Sequence, residues 1–233
     1  FLDGVRETFV TGYPYPLVKK IKQKENKFLK KLRLNKYSKK QIKITLFDNV
    51  YSGKNNPITK VMLSDFYKSF LDLCEKNSNL YLIIKSKKGV ISKLDSFIIN
   101  RLKNLENNHK VNLVYGLEND IKSNFFYARH SDVSIGLGGY STSVSECVSG
   151  GLRGIYLDLV NLKHLELLDT GKNRIIFNSL HKLISKIKIS LKDNNLYDLG
   201  LWHDEEIKKI DFYNDNKGSI RIGEKMNELF NRL

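Results

Sequence analysis

The residues best suited to chemistry in this sequence lie in one run, Gly136-Leu-Gly-Gly-Tyr-Ser-Thr-Ser-Val-Ser-Glu146. Glycines such as Gly138 and Gly139 let backbone N–H groups come close to an anion, and Ser141, Thr142 and Ser143 can cap the start of a following helix. A helix N-terminus with open N–H groups is a favourable seat for a pyrophosphate. Glu146 is then expected in the first turn of that helix, with its carboxylate placed to take both hydroxyls of a ribose. The plainer reading of the same residues is a glycine-rich turn, a serine cap and an acid favoured by the helix dipole. Lys85 and Lys87, in Ile84-Lys-Ser-Lys-Lys-Gly89, are cations that could neutralise phosphate or simply form a solvated turn.

Several other chemistries are excluded. The histidines at 109, 130, 164, 181 and 203 show no metal-ligand spacing. Cys74 and Cys147 are too few and too far apart for a disulfide framework or a zinc site. Free thiols fit a reducing compartment, so the expectation is a cytoplasmic protein. No Gly-x-Ser-x-Gly nucleophile elbow and no Gly-x-x-x-x-Gly-Lys phosphate loop occurs. No Asp-x-Asp metal motif occurs either, so no metal or other cofactor is expected.

Elements that would position the glycine loop follow from hydrophobic periodicity. Strands are predicted at 41–47, 80–84, 111–115, 132–135, 154–157 and 175–177. Helices are predicted at 57–75, 92–105, 121–128, 142–149 and 181–191, with one more amphipathic helix at 219–233. Strands alternating with helices imply βαβ units and a parallel sheet covered on both faces. The fold class expected is therefore α/β, a doubly wound Rossmann-like parallel sheet with helices on both faces. In such a sheet ligands bind beyond the carboxyl ends of the strands, where the glycine run falls. Trp202 and the segment 211–218 are expected to pack the final helix back on the domain.

Charge divides the chain. Of a net charge of +15, the stretch Lys19–Lys43 carries +11, with twelve basic residues against the single acid Glu25. Its apolar residues, Leu17, Val18, Ile21, Phe28, Leu29 and Leu32, recur at roughly helical spacing. A basic amphipathic helix results, which suits either a solvated connector or an anionic membrane surface. No nucleic-acid motif accompanies it, so nucleic acid is not an expected partner. The division is 1–43, an interdomain segment with the basic helix, and 44–233, a Rossmann-like domain with its C-terminal helix. No run of about 18 apolar residues is present to span a bilayer. The first residue is Phe1 rather than methionine, which suggests that the natural N-terminus lies upstream.

The run Ser143-Val-Ser-Glu146-Cys-Val-Ser-Gly-Gly151 resembles the donor-binding motif of GT-B glycosyltransferases, whose fold is built of two Rossmann-like halves. The likeness is to the peptidoglycan-precursor N-acetylglucosaminyltransferases and to bacterial surface-polysaccharide transferases. Three further pieces fall in the same order. Val10-Thr-Gly-Tyr-Pro14 resembles the segment leading out of an N-terminal domain, and Leu117-Glu-Asn-Asp-Ile121 the loop whose backbone pairs with the donor base. Phe126-Tyr-Ala-Arg-His-Ser-Asp132 resembles the helix and strand start before the glycine loop. The likeness spans roughly residues 8–171. Arg153 in place of the family's proline, and a first-strand loop without its glycine-serine form, favour a capsule, O-antigen or teichoic-acid-like transferase over the peptidoglycan enzyme itself.

The resemblance implies roles residue by residue. Glu146 would bind the ribose diol, and Gly138, Gly139, Ser141, Thr142 and Ser143 would surround the diphosphate. The backbone at Glu118 would read the base. Asn49 and Ser52 would add phosphate contacts, and the segment from Asp158 to His164 would face the transferred sugar. The chain would then be the nucleotide-sugar-binding half of a glycosyltransferase, inactive alone because the acceptor's general base comes from a missing N-terminal domain. Partners would be a nucleoside diphosphate sugar and, through the basic helix, the inner face of the membrane. A nucleotide-sugar epimerase or hydrolase of the same fold, or a non-catalytic nucleotide-binding domain, would share the donor loop.

Overall fold

The structure is a computed structural model, and it describes residues 41–49, 57–87, 89–115, 124–139, 141–162, 170–210, 213, 215 and 217–231. The predicted basic helix and the segment Val10–Pro14 lie outside the described residues, so the division at 43/44 stays an expectation.

Six strands form one sheet: β1 (Ile42–Phe47), β2 (Leu80–Ser86), β3 (Val111–Tyr115), β4 (Val133–Leu137), β5 (Gly154–Leu157) and β6 (Ile176–Phe177). Their spatial order is β3-β2-β1-β4-β5-β6, and every neighbouring pair is parallel. All five residues of β4 and six of the seven in β2 are buried, as expected of strands covered on both faces. The helices are α1 (Lys60–Lys76), α2 (Ser96–Asn107), α3 (Asn124–Ala128), α4 (Thr142–Ser149), α5 (Leu180–Asp193), α6 (Asp204–Ile210) and α7 (Gly218–Phe230). One apolar cluster joins α1, α2 and α5 to the sheet, and a second gathers α3, α4 and α6 around Tyr156 and Trp202. This is the expected doubly wound α/β sheet.

Local chemistry accounts for the helix boundaries. Thr59 caps α1 by accepting the Met62 N–H at 3.1 Å. Its buried face, Leu63, Phe66, Tyr67, Phe70 and Cys74, follows the three-and-four spacing of one helical stripe. The helix predicted from Ser92 begins later, because a 3-10 turn at Ile91–Lys93 breaks at Leu94, whose backbone is extended (ψ 159°). Helix α6 was not predicted; its seven residues span about two turns, too short for a periodic signal. Glu206 of α6 is 3% exposed, pairs with Arg174, and accepts the His203 N–H at 2.9 Å and the Thr170 hydroxyl at 3.1 Å.

The final helix departs from expectation. Trp202 packs on the sheet, its indole N–H donating to the Gly154 carbonyl at 2.7 Å and its ring edge-on to Tyr156. Helix α7 is not held the same way. Ile220, Met226 and Phe230 remain exposed, Phe230 at 66%. Its amphipathic pattern made the helix, but nothing in a periodicity says which surface covers it.

Helix α4 is pressed onto the sheet through glycines. A Cβ on Gly136 would lie 2.4 Å from Ser141 Oγ, and one on Gly154 would lie 2.6 Å from Val148 and 2.9 Å from Val144. Gly154→Ala should therefore destabilise the fold by about 1–3 kcal/mol through overpacking. Gly223→Ala, in α7 with no neighbour within 4 Å of the new methyl, should instead be stabilising by about 0.5–1 kcal/mol. Urea denaturation of both variants beside the parent chain reads the two signs.

Candidate functional site

The winding of the sheet reverses between β1 and β4, where the strand order passes from 1 to 4. The connections leaving their carboxyl ends run to opposite faces, which opens a crevice at that point. Residues Asp48 and Asn49 follow β1, and Gly138 and Gly139 follow β4. The two loops touch: the Asn49 carboxamide N–H donates to the Leu137 carbonyl at 3.4 Å, and a Cβ on Gly138 would lie 3.2 Å from the same nitrogen. Gly138 has φ +93°, a conformation that side chains rarely adopt, so glycine is required both by its backbone and by Asn49.

The glycine loop then turns into α4. Ser141 occupies the N-cap position with an extended ψ of 92°, yet its side chain makes no capping hydrogen bond. Its hydroxyl instead sits over Gly136, while its carbonyl accepts the N–H groups of Val144 at 2.9 Å and Ser145 at 3.3 Å. Thr142, exposed, and Ser143, half-buried, occupy the first two helical positions, whose N–H groups precede the intrahelical ladder. Gly138 does not offer its own N–H, which donates to the Leu157 carbonyl of β5 at 2.8 Å. Anion contacts from this loop would thus come from the start of α4 rather than from Gly138.

Glu146 requires a correction. Because Ser141 is non-helical and α4 starts at Thr142, Glu146 is its fifth residue, and the first turn holds no acid. Both carboxylate oxygens face α3. One accepts the Asn124 side-chain N–H at 2.9 Å, and the other accepts the Phe125 backbone N–H at 3.2 Å. Glu146 thereby satisfies an orphan donor at the start of α3 and ties that helix to α4. Ser52, Glu118 and His164 lie outside the described residues. Asp158, at the end of β5, is buried, and it accepts the N–H groups of Leu162 at 2.6 Å and Val160 at 3.4 Å, shaping the turn that leads toward His164.

A buried acid that sequence reasoning missed anchors the other wall of the crevice. Asp48 is 4% exposed. One of its oxygens accepts the Tyr67 hydroxyl at 2.7 Å and the Ser86 hydroxyl at 2.6 Å, and the other accepts the Lys87 N–H at 2.7 Å. Burial pushes its pKa above the ordinary aspartate value, although the three donors and the Lys87 charge pull the other way. The available signal was its place, directly after the apolar strand β1; Tyr67 and Ser86, 19 and 38 residues away, become its partners only in the fold. The two flanking lysines divide. Lys85 lies 4.8 Å over the ring of Tyr127 on α3, whereas the Lys87 ammonium reaches the Asn49 carboxamide oxygen at 2.9 Å. Among the described residues, no group of three His, Cys, Asp or Glu is arranged to hold a metal.

No family model matches the chain, and no curated protein does. Among solved structures, it is similar to the C-terminal domain of a glycosyl transferase group 1 family protein (LpcC) from Francisella tularensis. That likeness has 11% identity and a TM-score of 0.48, over 87% of this chain and 96% of the other. It is also similar to the wall teichoic acid polymerase TagF, at 15% identity and a TM-score of 0.39. Here 91% of this chain matches 49% of the polymerase, so the chain spans about half of that protein's length.

Asp48 gives a pH-dependent expectation. A carboxyl whose pKa is higher folded than unfolded binds its proton more tightly in the folded state. Its stabilising contribution is thus full below the ordinary aspartate pKa of about 3.9 and is lost as pH rises through the raised value. Asp48→Asn removes that titration and can still be fully bonded, since both hydroxyls can turn to accept from its amide. It should be at least as stable as the parent chain at pH 7 and lack the decline above pH ~4. Asp48→Ala should lose about 1–3 kcal/mol for each donor left buried and unpaired. Chemical denaturation from pH 4 to 8 on the three chains measures all of this.

Proposed function

We propose that this chain binds a nucleoside diphosphate sugar in the crevice between β1 and β4, as the donor half of a glycosyltransferase for bacterial cell-surface polysaccharide or glycolipid. The observation that carries the reading is the convergence of three features on the switch point: the glycine turn at Gly138, the start of α4 after Ser141, and the Asn49–Lys87 pair opposite. A helix start and a cation favour the same ligand chemistry, a diphosphate. Glu146 keeps acceptor capacity for a ribose diol, because a carboxylate offers about four lone-pair sites and α3 uses two of them.

Catalysis in this reading is electrostatic. Cleavage of the sugar–phosphate bond builds charge on the departing diphosphate. Fixed dipoles and cations around it stabilise that charge more than they stabilise the bound donor. The acceptor hydroxyl still needs a positioned base, and the groups gathered at this crevice serve the nucleotide instead. The basic stretch Lys19–Lys43 would hold the protein near anionic lipid and its lipid-linked acceptors. No described helix is long and apolar enough to cross a membrane.

Calorimetric titration with uridine and cytidine diphosphates should detect binding by the chain. Glu146→Ala should weaken it by about 1.5–3 kcal/mol, the worth of a hydrogen bond to a charged group. Asn124→Ala, which removes an α3 contact but spares the carboxylate, should leave affinity nearly unchanged. Equal losses in both variants would assign Glu146 to the packing of α3 alone. With lipid-linked or polysaccharide acceptors added, donor consumption by the 233-residue chain should stay at background. Holding two reactants together contributes as much as about 7–11 kcal/mol to lowering the barrier. Acceptor-dependent turnover by this chain would place the catalytic base within it.

A further inference from the structure

Lys87 is held at both its backbone and its ammonium. Its backbone N–H is fixed by Asp48, the buried carboxylate that also takes the Ser86 and Tyr67 hydroxyls. Its ammonium reaches Asn49 Oδ1 at 2.9 Å, and the other end of that carboxamide donates to the Leu137 carbonyl beside Gly138. One chain of side-chain contacts therefore runs from β2, across β1, to the glycine turn of β4. It ends in a cation held at the crevice by an uncharged oxygen. A free lysine side chain carries considerable rotamer entropy. Here part of that freedom is already lost before any ligand arrives. Lys85, two residues earlier, lies over Tyr127 and serves the packing of α3.

We propose that Lys87 is the cation that binds the diphosphate at the switch point, with Asn49 holding its ammonium beside Gly138 and Asp48 acting as a positioning residue for both. The assignment rests on the nucleoside diphosphate reading of the same crevice and gives it a basis for selectivity. A carboxamide oxygen is a neutral partner, which a phosphate oxygen can replace with a charge-assisted bond. The ammonium is held from the β2 side by Asn49, which also bonds Leu137 at the end of β4, and the Gly138 turn leads from that strand into α4. A diphosphate, with its charge spread over two phosphoryl groups, can engage the ammonium and the start of α4 at once. A monophosphate seated at α4 would engage one of the two, so the site should prefer diphosphates over monophosphates.

Inorganic pyrophosphate, uridine diphosphate and uridine monophosphate, titrated into the full chain at physiological salt, test this. Lys87→Met should weaken pyrophosphate and uridine diphosphate by about tenfold or more, since each tenfold is ~1.4 kcal/mol and hydrogen bonds to charged groups reach that size. Uridine monophosphate should weaken much less. Lys85→Met, which removes the same charge two residues away, should leave pyrophosphate affinity unchanged. Asp48→Asn, which still accepts the Lys87 N–H, should retain binding, whereas Asp48→Ala should lower it. Pyrophosphate affinity that is absent in the parent chain, unchanged in a folded Lys87→Met variant, or lost equally in Lys85→Met overturns the assignment. Pyrophosphate binding that depends on Lys87, with no binding of the nucleotide, would instead support the lysine site and overturn the nucleotide reading.

Discussion

Backbone pairing between Ile44–Phe47 of β1 and Val133–Gly136 of β4 sets the rest of the molecule. The first three strands wind outward in one direction, β1 to β2 to β3. Right-handed crossovers keep their connecting helices on one face of the sheet. Once β4 returns to the far side of β1, the same handedness sends the crossover helices α3 and α4 to the opposite face, where they share an apolar cluster. The reversal therefore covers both faces, and it also leaves one point where adjacent loops diverge. Asn49 and Gly138 meet there because their strands are neighbours in space, although 89 positions separate them in the sequence.

Each buried acid near the ligand end of the sheet is satisfied by groups that define loop geometry. Asp48 ties β1 to the end of β2 through Ser86 and Lys87 and to α1 through Tyr67, and Asp158 folds the turn after β5 onto its own carboxylate. Half-buried Glu146 joins α3 to α4. An ionised carboxylate away from water is costly unless several donors meet it. These residues consequently fix backbone positions that the apolar core alone would leave loose. Close packing does the same for α4, where Gly136 and Gly154 admit Ser141, Val144 and Val148 to the sheet surface. The start of α4 is held in place from beneath by this contact, and from the side by Glu146.

The sequence by itself determined the six strands, the described helices other than α6, and their class. Apolar runs such as Leu80–Ile84 can be buried only by cover on both faces, and the glycine and serine turn before Thr142 announces a helix with its boundary at that residue. Alternation of the two periodicities then leaves a parallel α/β sheet as the packing that buries every stripe. The site was legible only as a location, the loop 136–146, because an anion-binding turn is a local backbone property. What those residues touch was not legible. The partners of Asp48 are 19, 38 and 39 residues away, Glu146 turned to Asn124 and Phe125, and Lys85 and Lys87 separated into a packing cation and a crevice cation. Strand order alone decides which side chains share a crevice, and that order is set by long-range backbone pairing, of which a one-dimensional pattern of hydrophobicity carries no record.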